Sequence, residues 1–205
     1  MSDAPDDIIT DELVLRVRVK AELRKRMRGL RKTTPAEACA ERSRAIVARL
    51  GEHAAVAAAR SVALFWPIDA RHEVDLRPLD EALRARGARV AYPAIDPGTG
   101  VMTFRFVEDV GGMAEQGYGF MEPPPSALEA LALDVIVVPA LAVDPTGHRI
   151  GYGAGYYDRA LARHGAPTVS IGVAYDWQLI AEVPATEHDV RCAWVVTDLR
   201  AFDAR

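Results

Sequence analysis

The sequence predicts an α/β fold, a three-layer α/β/α domain with a mainly parallel central sheet, on three observations. Short apolar runs bounded by turn residues, such as Ser61 to Trp66 and Asp134 to Pro139, have the length and composition of buried strands. Segments with helical spacing, such as Leu76 to Arg86, lie between such runs and produce a strand, helix, strand rhythm. The densest glycine punctuation follows directly on the run ending at Pro139, and ligands of α/β folds bind beyond the carboxyl ends of strands. With 205 residues the chain can bury one substantial core, so a single domain over 10–205 is expected behind a frayed leader over 1–9.

Taken in order, Leu23, Met27 and Leu30 fall three to four apart among good helix formers and predict a basic helix between Thr10 and Lys32. Thr34, Pro35 and Glu37 read as N-cap, first helical residue and capping-box partner of a second helix reaching about Leu50. Ser61 to Trp66 is the first strand. Leu76 to Arg86 is a helix stopped by Gly87, and Arg89 to Tyr92 is a strand before Pro93. Met102 to Phe106 predicts a further short strand. Gly111 to Pro125, with four glycines and three prolines, reads as an irregular loop. An apolar helix over Leu128 to Leu133 is expected to lead into the strand Asp134 to Pro139. Tyr157 to His164 resumes helix, and Thr168 to Val173 and Ala193 to Thr197 complete the strands.

Composition narrows the function classes. Half of the residues are hydrophobic and 26% are charged, which is ordinary globular usage. The net charge of -4 conceals a basic stretch from Arg16 to Lys32, so a local phosphate-binding surface is expected rather than a general nucleic-acid footprint. Cys39 and Cys192 stand in no pairing or metal motif, which suits a reducing cytoplasm. Neither a secretory signal nor an apolar stretch of about 18 residues is read, so a cytoplasmic protein without membrane attachment is expected, and a monomer. His72 with Glu73 and Asp75, and His188 with Glu187 and Asp189, lack compact zinc spacing and are not expected to hold zinc. No serine has a nucleophile-elbow context.

The most informative segment runs from Gly147 to Arg159. Glycines at 151, 153 and 155 permit positive φ and let backbone N–H groups approach a ligand, and a helix N-terminus follows, as in an anion cradle. No Gly-Lys-Ser or Gly-Lys-Thr follows, so it is not a P-loop, and the glycine spacing is not that of a dinucleotide site. Arg149 and Arg159 flank the cradle, and Asp158 suits Mg²⁺ or a water on it. The plainer alternative for Asp158 and Arg159 is capping of the new helix. Tyr156 and Tyr157 suit the wall of a nucleotide or pterin site, with one of the two expected in the core.

At this segment, in Arg149, Gly151, Gly153, Gly155, Tyr156, Tyr157 and Asp158, the chain resembles the 5-formyltetrahydrofolate cyclo-ligase family, also called 5,10-methenyltetrahydrofolate synthetase. The likeness extends to a basic first helix with Lys20 and Arg24, to Glu73 after the first strand, to Gly119 through Pro123, and to Pro184 through Asp189. It implies an enzyme that uses ATP and Mg²⁺ to close 5-formyltetrahydrofolate, with or without a polyglutamate tail, to 5,10-methenyltetrahydrofolate.

On that resemblance Lys20, Arg149, Tyr156 and Asp158 are the expected catalytic residues. Lys20, Arg24, Arg149, Gly151, Tyr152, Gly153, Ala154, Gly155, Tyr156 and Tyr157 are expected to hold the nucleotide. Phe65, Glu73, Tyr118, Glu122 and Tyr156 are expected at the folate, and Asp158 and Asp189 at the metal. Ala154 stands where many relatives carry lysine or glycine, and Met121 where proline is common. Those departures keep two alternatives open: an ATP-dependent ligase or kinase for another small amide or pteridine, and a non-catalytic folate- or nucleotide-binding regulator.

Overall fold

The computed structural model describes the backbone of residues 4–204 and the side chains of residues 11–204. Five helices are present among these: α1 (Ala4–Thr33), α2 (Ala36–Glu52), α3 (Ala54–Ala58), α4 (Arg77–Ala85) and α5 (Tyr156–His164). The strands are β1 (Ser61–Ala63), β2 (Arg89–Ile95), β3 (Met102–Phe106), β4 (Ala114–Glu115), β5 (Met121–Glu122), β6 (Val135–Pro139), β7 (Ala142–Val143), β8 (Arg149–Ile150), β9 (Val169–Val173), β10 (Trp194–Val196) and β11 (Ala201–Asp203). Of the expected leader over 1–9, residues 1–3 lie outside the described residues, and 4–9 are described only as helical backbone.

The central sheet has the order β11-β10-β9-β6-β1-β2-β3. Its five inner strands run parallel, whereas β3 and β11 are antiparallel edges. Alternation along the strands builds two unlike faces. Val62, Leu64, Val90, Tyr92, Val135 and Val137 point to one side, where Ile46 and Leu50 of α2 and Leu79 and Leu83 of α4 cover them. Ala63, Ala91, Ile136 and Val138 point to the other, against Ala160 and Leu161 of α5. The result is the expected three-layer α/β/α arrangement with a mainly parallel sheet. Helix α1 packs Met27 and Leu23 on Leu141, Ala142 and Ile150, against the small hairpin of β7 and β8. Among the described residues no helix is long and apolar enough to cross a membrane.

Several local expectations are corrected. Thr34 does not cap α2: its hydroxyl donates back to the Leu30 carbonyl at 2.9 Å, finishing α1, and Pro35 takes the cap position without a side-chain bond. The end of one helix lies two residues from the start of the next, and the Leu30 carbonyl in the last turn of α1, which also accepts the Thr34 N–H at 3.1 Å, takes the hydroxyl. The expected helix over Leu128 to Leu133 is an extended segment. The Leu128 carbonyl accepts from Phe106 N–H, and Ala130 N–H donates to the Phe104 carbonyl, both at 2.8 Å. Edge strand β3 offered unpaired backbone groups, and satisfying them outweighed the apolar spacing of this segment. The first strand ends at Ala63 rather than Trp66, and β2 continues to Ile95 through Pro93. Ala91 directs its carbonyl to Leu64, so Pro93, two residues on, places its nitrogen on the same side, beyond the last residue of β1. The missing N–H therefore breaks no ladder bond.

Candidate functional site

The winding of the sheet reverses between β1 and β6. Strand β1 leads to β2 through α4 on one face, and β6 leads to β9 through α5 on the other. Beyond the carboxyl ends of β1 and β6 the chain diverges, and a crevice must open there. A cavity of about 690 Å³ occupies this position, bordered by Phe65 and Trp66 after β1, Pro139 at the end of β6, and the whole glycine segment 151–155.

One end of the cavity is cationic. Lys20 and Arg24 line it from α1, one helical turn apart, and Arg149 lines it from β8. Arg24 donates Nε to the Gly151 carbonyl at 3.0 Å. Gly153 has φ +109°, and a Cβ placed on it would stand 3.4 Å from the Arg24 guanidinium carbon. Gly155, at φ +66°, is the left-handed residue that turns the chain into α5. A non-glycine residue at either position would be strained.

Two carboxylates at this end are already engaged. Arg149 donates Nη2 to Asp158 Oδ1 at 2.9 Å and Nη1 to the Val190 carbonyl at 2.6 Å, and Asp158 Oδ1 also accepts from Val190 N–H. Lys20 Nζ bonds Asp189 Oδ2, which also accepts from Thr186 N–H and Thr186 Oγ1. Burial alone would raise the Asp189 carboxyl. The hydrogen bonds from Lys20 and Thr186, with the charge of Lys20, outweigh it and hold the group below the ordinary carboxylate range. The segment 186–190 is thus clamped between α1 and the start of α5.

Another part of the lining is aromatic and surrounds one acid, Glu73. Tyr118 meets Tyr156 edge-on with ring centres 6.4 Å apart and lies near Phe120 at 6.5 Å. Glu73 accepts from Tyr152 OH on Oε1 at 2.5 Å and from Ile68 N–H on Oε2 at 3.0 Å. The Arg71 guanidinium lies 5.0 Å from the centre of the Tyr152 ring. Tyr157 lines the cavity while packing on Phe104, and burial pushes its phenol pKa up.

The residues singled out from the sequence for nucleotide, folate or metal border this one cavity, with the exceptions of Arg159, whose Nη1 donates to the Ala154 carbonyl at 3.0 Å, and Glu122. That side chain is buried behind the wall, where Oε2 accepts the Ile95 N–H at 2.7 Å. Strand β2 outruns β1 there, and Glu122 caps a backbone group left without a strand partner. Burial pushes its carboxyl above the ordinary value against the pull of the Ile95 N–H, and the charge of Glu115 adds to the rise. Trp177 stacks on Tyr175 at 5.9 Å and packs against the core. Trp66, at the end of the run read as a buried strand, lines the cavity. Arg71, Ile95 and Met102, which no sequence motif marks, also line it, as does Phe120 of the Gly119 to Pro123 segment.

Among the described residues, no group of three or more His, Cys, Asp and Glu gathers as a metal site. The donors present fit a different kind of cation. Mg²⁺ commonly keeps waters and takes one or two carboxylates together with substrate phosphates. Asp158 and Asp189, each with a second oxygen outside the bonds described above, line the cavity with the glycine segment.

Residues 16–198 match the family described as the 5-formyltetrahydrofolate cyclo-ligase family. A 5-formyltetrahydrofolate cyclo-ligase of Escherichia coli K12 is 31% identical over 186 residues, 88% of this chain and 99% of the relative. One of Mycolicibacterium smegmatis is 44% identical over 97 residues, 46% of this chain and 50% of the relative. The NMR structure of Aquifex aeolicus 5,10-methenyltetrahydrofolate synthetase superposes with a TM-score of 0.79 at 28% identity, covering 91% of this chain and 93% of that one.

Proposed function

Because the chain belongs to the 5-formyltetrahydrofolate cyclo-ligase family, we propose that this cavity closes 5-formyltetrahydrofolate to 5,10-methenyltetrahydrofolate at the expense of ATP. The observation that carries the reading is that one cavity at the switch point brings Lys20, Arg24, Arg149 and the glycine backbone together with an aromatic set around Glu73. A triphosphate suits the first, and a flat heterocycle with N–H donors suits the second.

The formamide at N5 is a poor electrophile. Transfer of the γ-phosphoryl group to its oxygen turns that oxygen into a leaving group, with ADP released. The N10 amine then bonds the activated carbon, its proton is lost, and phosphate departs as the C–O bond breaks. Most of the work is positioning and charge stabilisation. Lys20, Arg24 and Arg149 neutralise phosphate charge, and the backbone of 151–155 admits the phosphates closely. Glu73 accepts N–H groups of the pterin, while Phe65, Tyr118 and Tyr156 stack around it. Asp158 and Asp189 would hold Mg²⁺, which would supply charge neutralisation on the phosphates. Glu122 supports the folate wall through Ile95 rather than by contact.

The test follows absorbance at the methenyl product band with purified protein, 5-formyltetrahydrofolate and Mg²⁺, with and without ATP. An ATP-dependent rise with equal ADP formation is expected. A folded protein that binds ATP but gives no rise would point to another small amide or pteridine as substrate, and binding without any turnover to a regulator.

A further inference from the structure

Arg31 lies in the last turn of α1, is 4% exposed, and is not part of the cavity surface. Its Nη2 donates to the Ala140 carbonyl at 2.7 Å, just past the end of β6, and reaches Gln178 Oε1 at 3.5 Å. Its Nη1 donates to Tyr152 OH at 3.3 Å and stands 4.0 Å from Glu73 Oε1. A buried guanidinium is costly unless a carboxylate and hydrogen bonds compensate it, and Glu73 is its carboxylate partner among the described residues.

The hydrogen-bond directions fix the order of the chain. Arg31 Nη1 can only donate, so the Tyr152 phenol oxygen accepts from it and the single phenol proton goes to Glu73 Oε1. Burial first, and then the charge of Glu73, push the Tyr152 phenol up to about 12, so it remains a donor at neutral pH. Arg71 covers the same ring from the cavity side. With one oxygen taken by Tyr152 and the other by Ile68 N–H, each Glu73 oxygen keeps a lone pair for a ligand donor.

We propose that Arg31 is a positioning residue for the folate: without touching a ligand, it holds the Glu73 carboxylate and the Tyr152 phenol as one fixed unit on the cavity wall. Tyr152 then belongs to the folate wall although it sits inside the glycine segment. This rests on the cyclo-ligase reading above.

The experiment compares Arg31→Met, Arg31→Lys and Tyr152→Phe with the parent by steady-state kinetics in each substrate and by thermal unfolding. Arg31→Met is expected to raise the KM for 5-formyltetrahydrofolate on the order of tenfold, the size of a lost bond to a charged group. The KM for ATP should stay at the parent value, because Lys20, Arg24 and the loop backbone act independently. Arg31→Lys should recover part of the folate KM, since one ammonium can face Glu73. Tyr152→Phe keeps the Arg31 bond to Ala140 and should still raise the folate KM severalfold, which keeps the idea testable if Arg31→Met does not fold. A folate KM unchanged in the folded variants overturns the proposal. So does a lowered melting temperature with a loss of kcat alone, which a structural anchor would produce. A parent without ATP-dependent methenyl formation overturns the cyclo-ligase reading and this assignment with it. An active parent with unmoved variant KM values overturns the assignment alone.

Discussion

The two ends of the cavity are built in opposite ways. The cationic end comes from one unbroken segment, 149–158, laid beside two residues of α1, and its geometry is mostly backbone: positive φ at Gly153 and Gly155, and the start of α5. The aromatic end is assembled from Phe65 and Trp66 after β1, Glu73, Pro93 and Ile95 of β2, Met102 of β3, Phe120, and Tyr118, which meets Tyr156 of the first segment. The first depends on local chain conformation, so single substitutions there should act sharply. The second spreads its contacts over many side chains, so removing one aromatic wall leaves the others in place.

Gly153→Val should sharpen the contrast most. It places a branched side chain at φ +109° against Arg24, and a misplaced phosphate should cost roughly a hundredfold in ATP-dependent turnover. Thermal unfolding should show a smaller change, and unchanged ATP affinity would reject the cradle. Lys20→Ala comes next, with kcat/KM for ATP falling on the order of tenfold. Kinetics indistinguishable from the parent in varied ATP would remove its phosphate role. Trp66→Ala should raise the folate KM roughly threefold, leaving the ATP KM in place. A loss as large as that from Gly153→Val would break the comparison.

The smallest effect is on stability and pH. The Asp189 carboxyl is held below its ordinary range by Lys20 and Thr186, so its ionised form stabilises the fold above the ordinary carboxylate pKa. That contribution is lost as pH falls through the depressed value. The stability gap between parent and Asp189→Asn should therefore be steady near neutrality and close in acid, as read by denaturant unfolding across pH. A gap that widens in acid would reject the Lys20 latch.

Legibility followed the same division. Glycines 151, 153 and 155 before Tyr156 and Asp158 could be read as a cradle because everything that makes it lies within ten residues. The strands Asp134 to Pro139 and Thr168 to Val173 were legible for a similar reason, since burial on both faces leaves an unbroken apolar run. Glu73 and Tyr118 were found only through family resemblance, and Arg71, Trp66 and Ile95 were not found, because nothing near them in sequence states that they face one cavity.

By itself the sequence determined the α/β class, the helices α2, α4 and α5 to within a few residues, and the place of the glycine segment after a central strand. Periodicity and turn chemistry act over a few residues and leave a local record. Tertiary structure alone decided that Leu128 to Leu133 would extend along β3, that Glu122 would cap the overhang of β2, and that Arg31 would lie behind Glu73 and Tyr152. Each of these answers an unpaired polar group supplied by a distant part of the chain. Backbone and charge left unsatisfied in a buried place are costly, and only the assembled fold sets which groups those are.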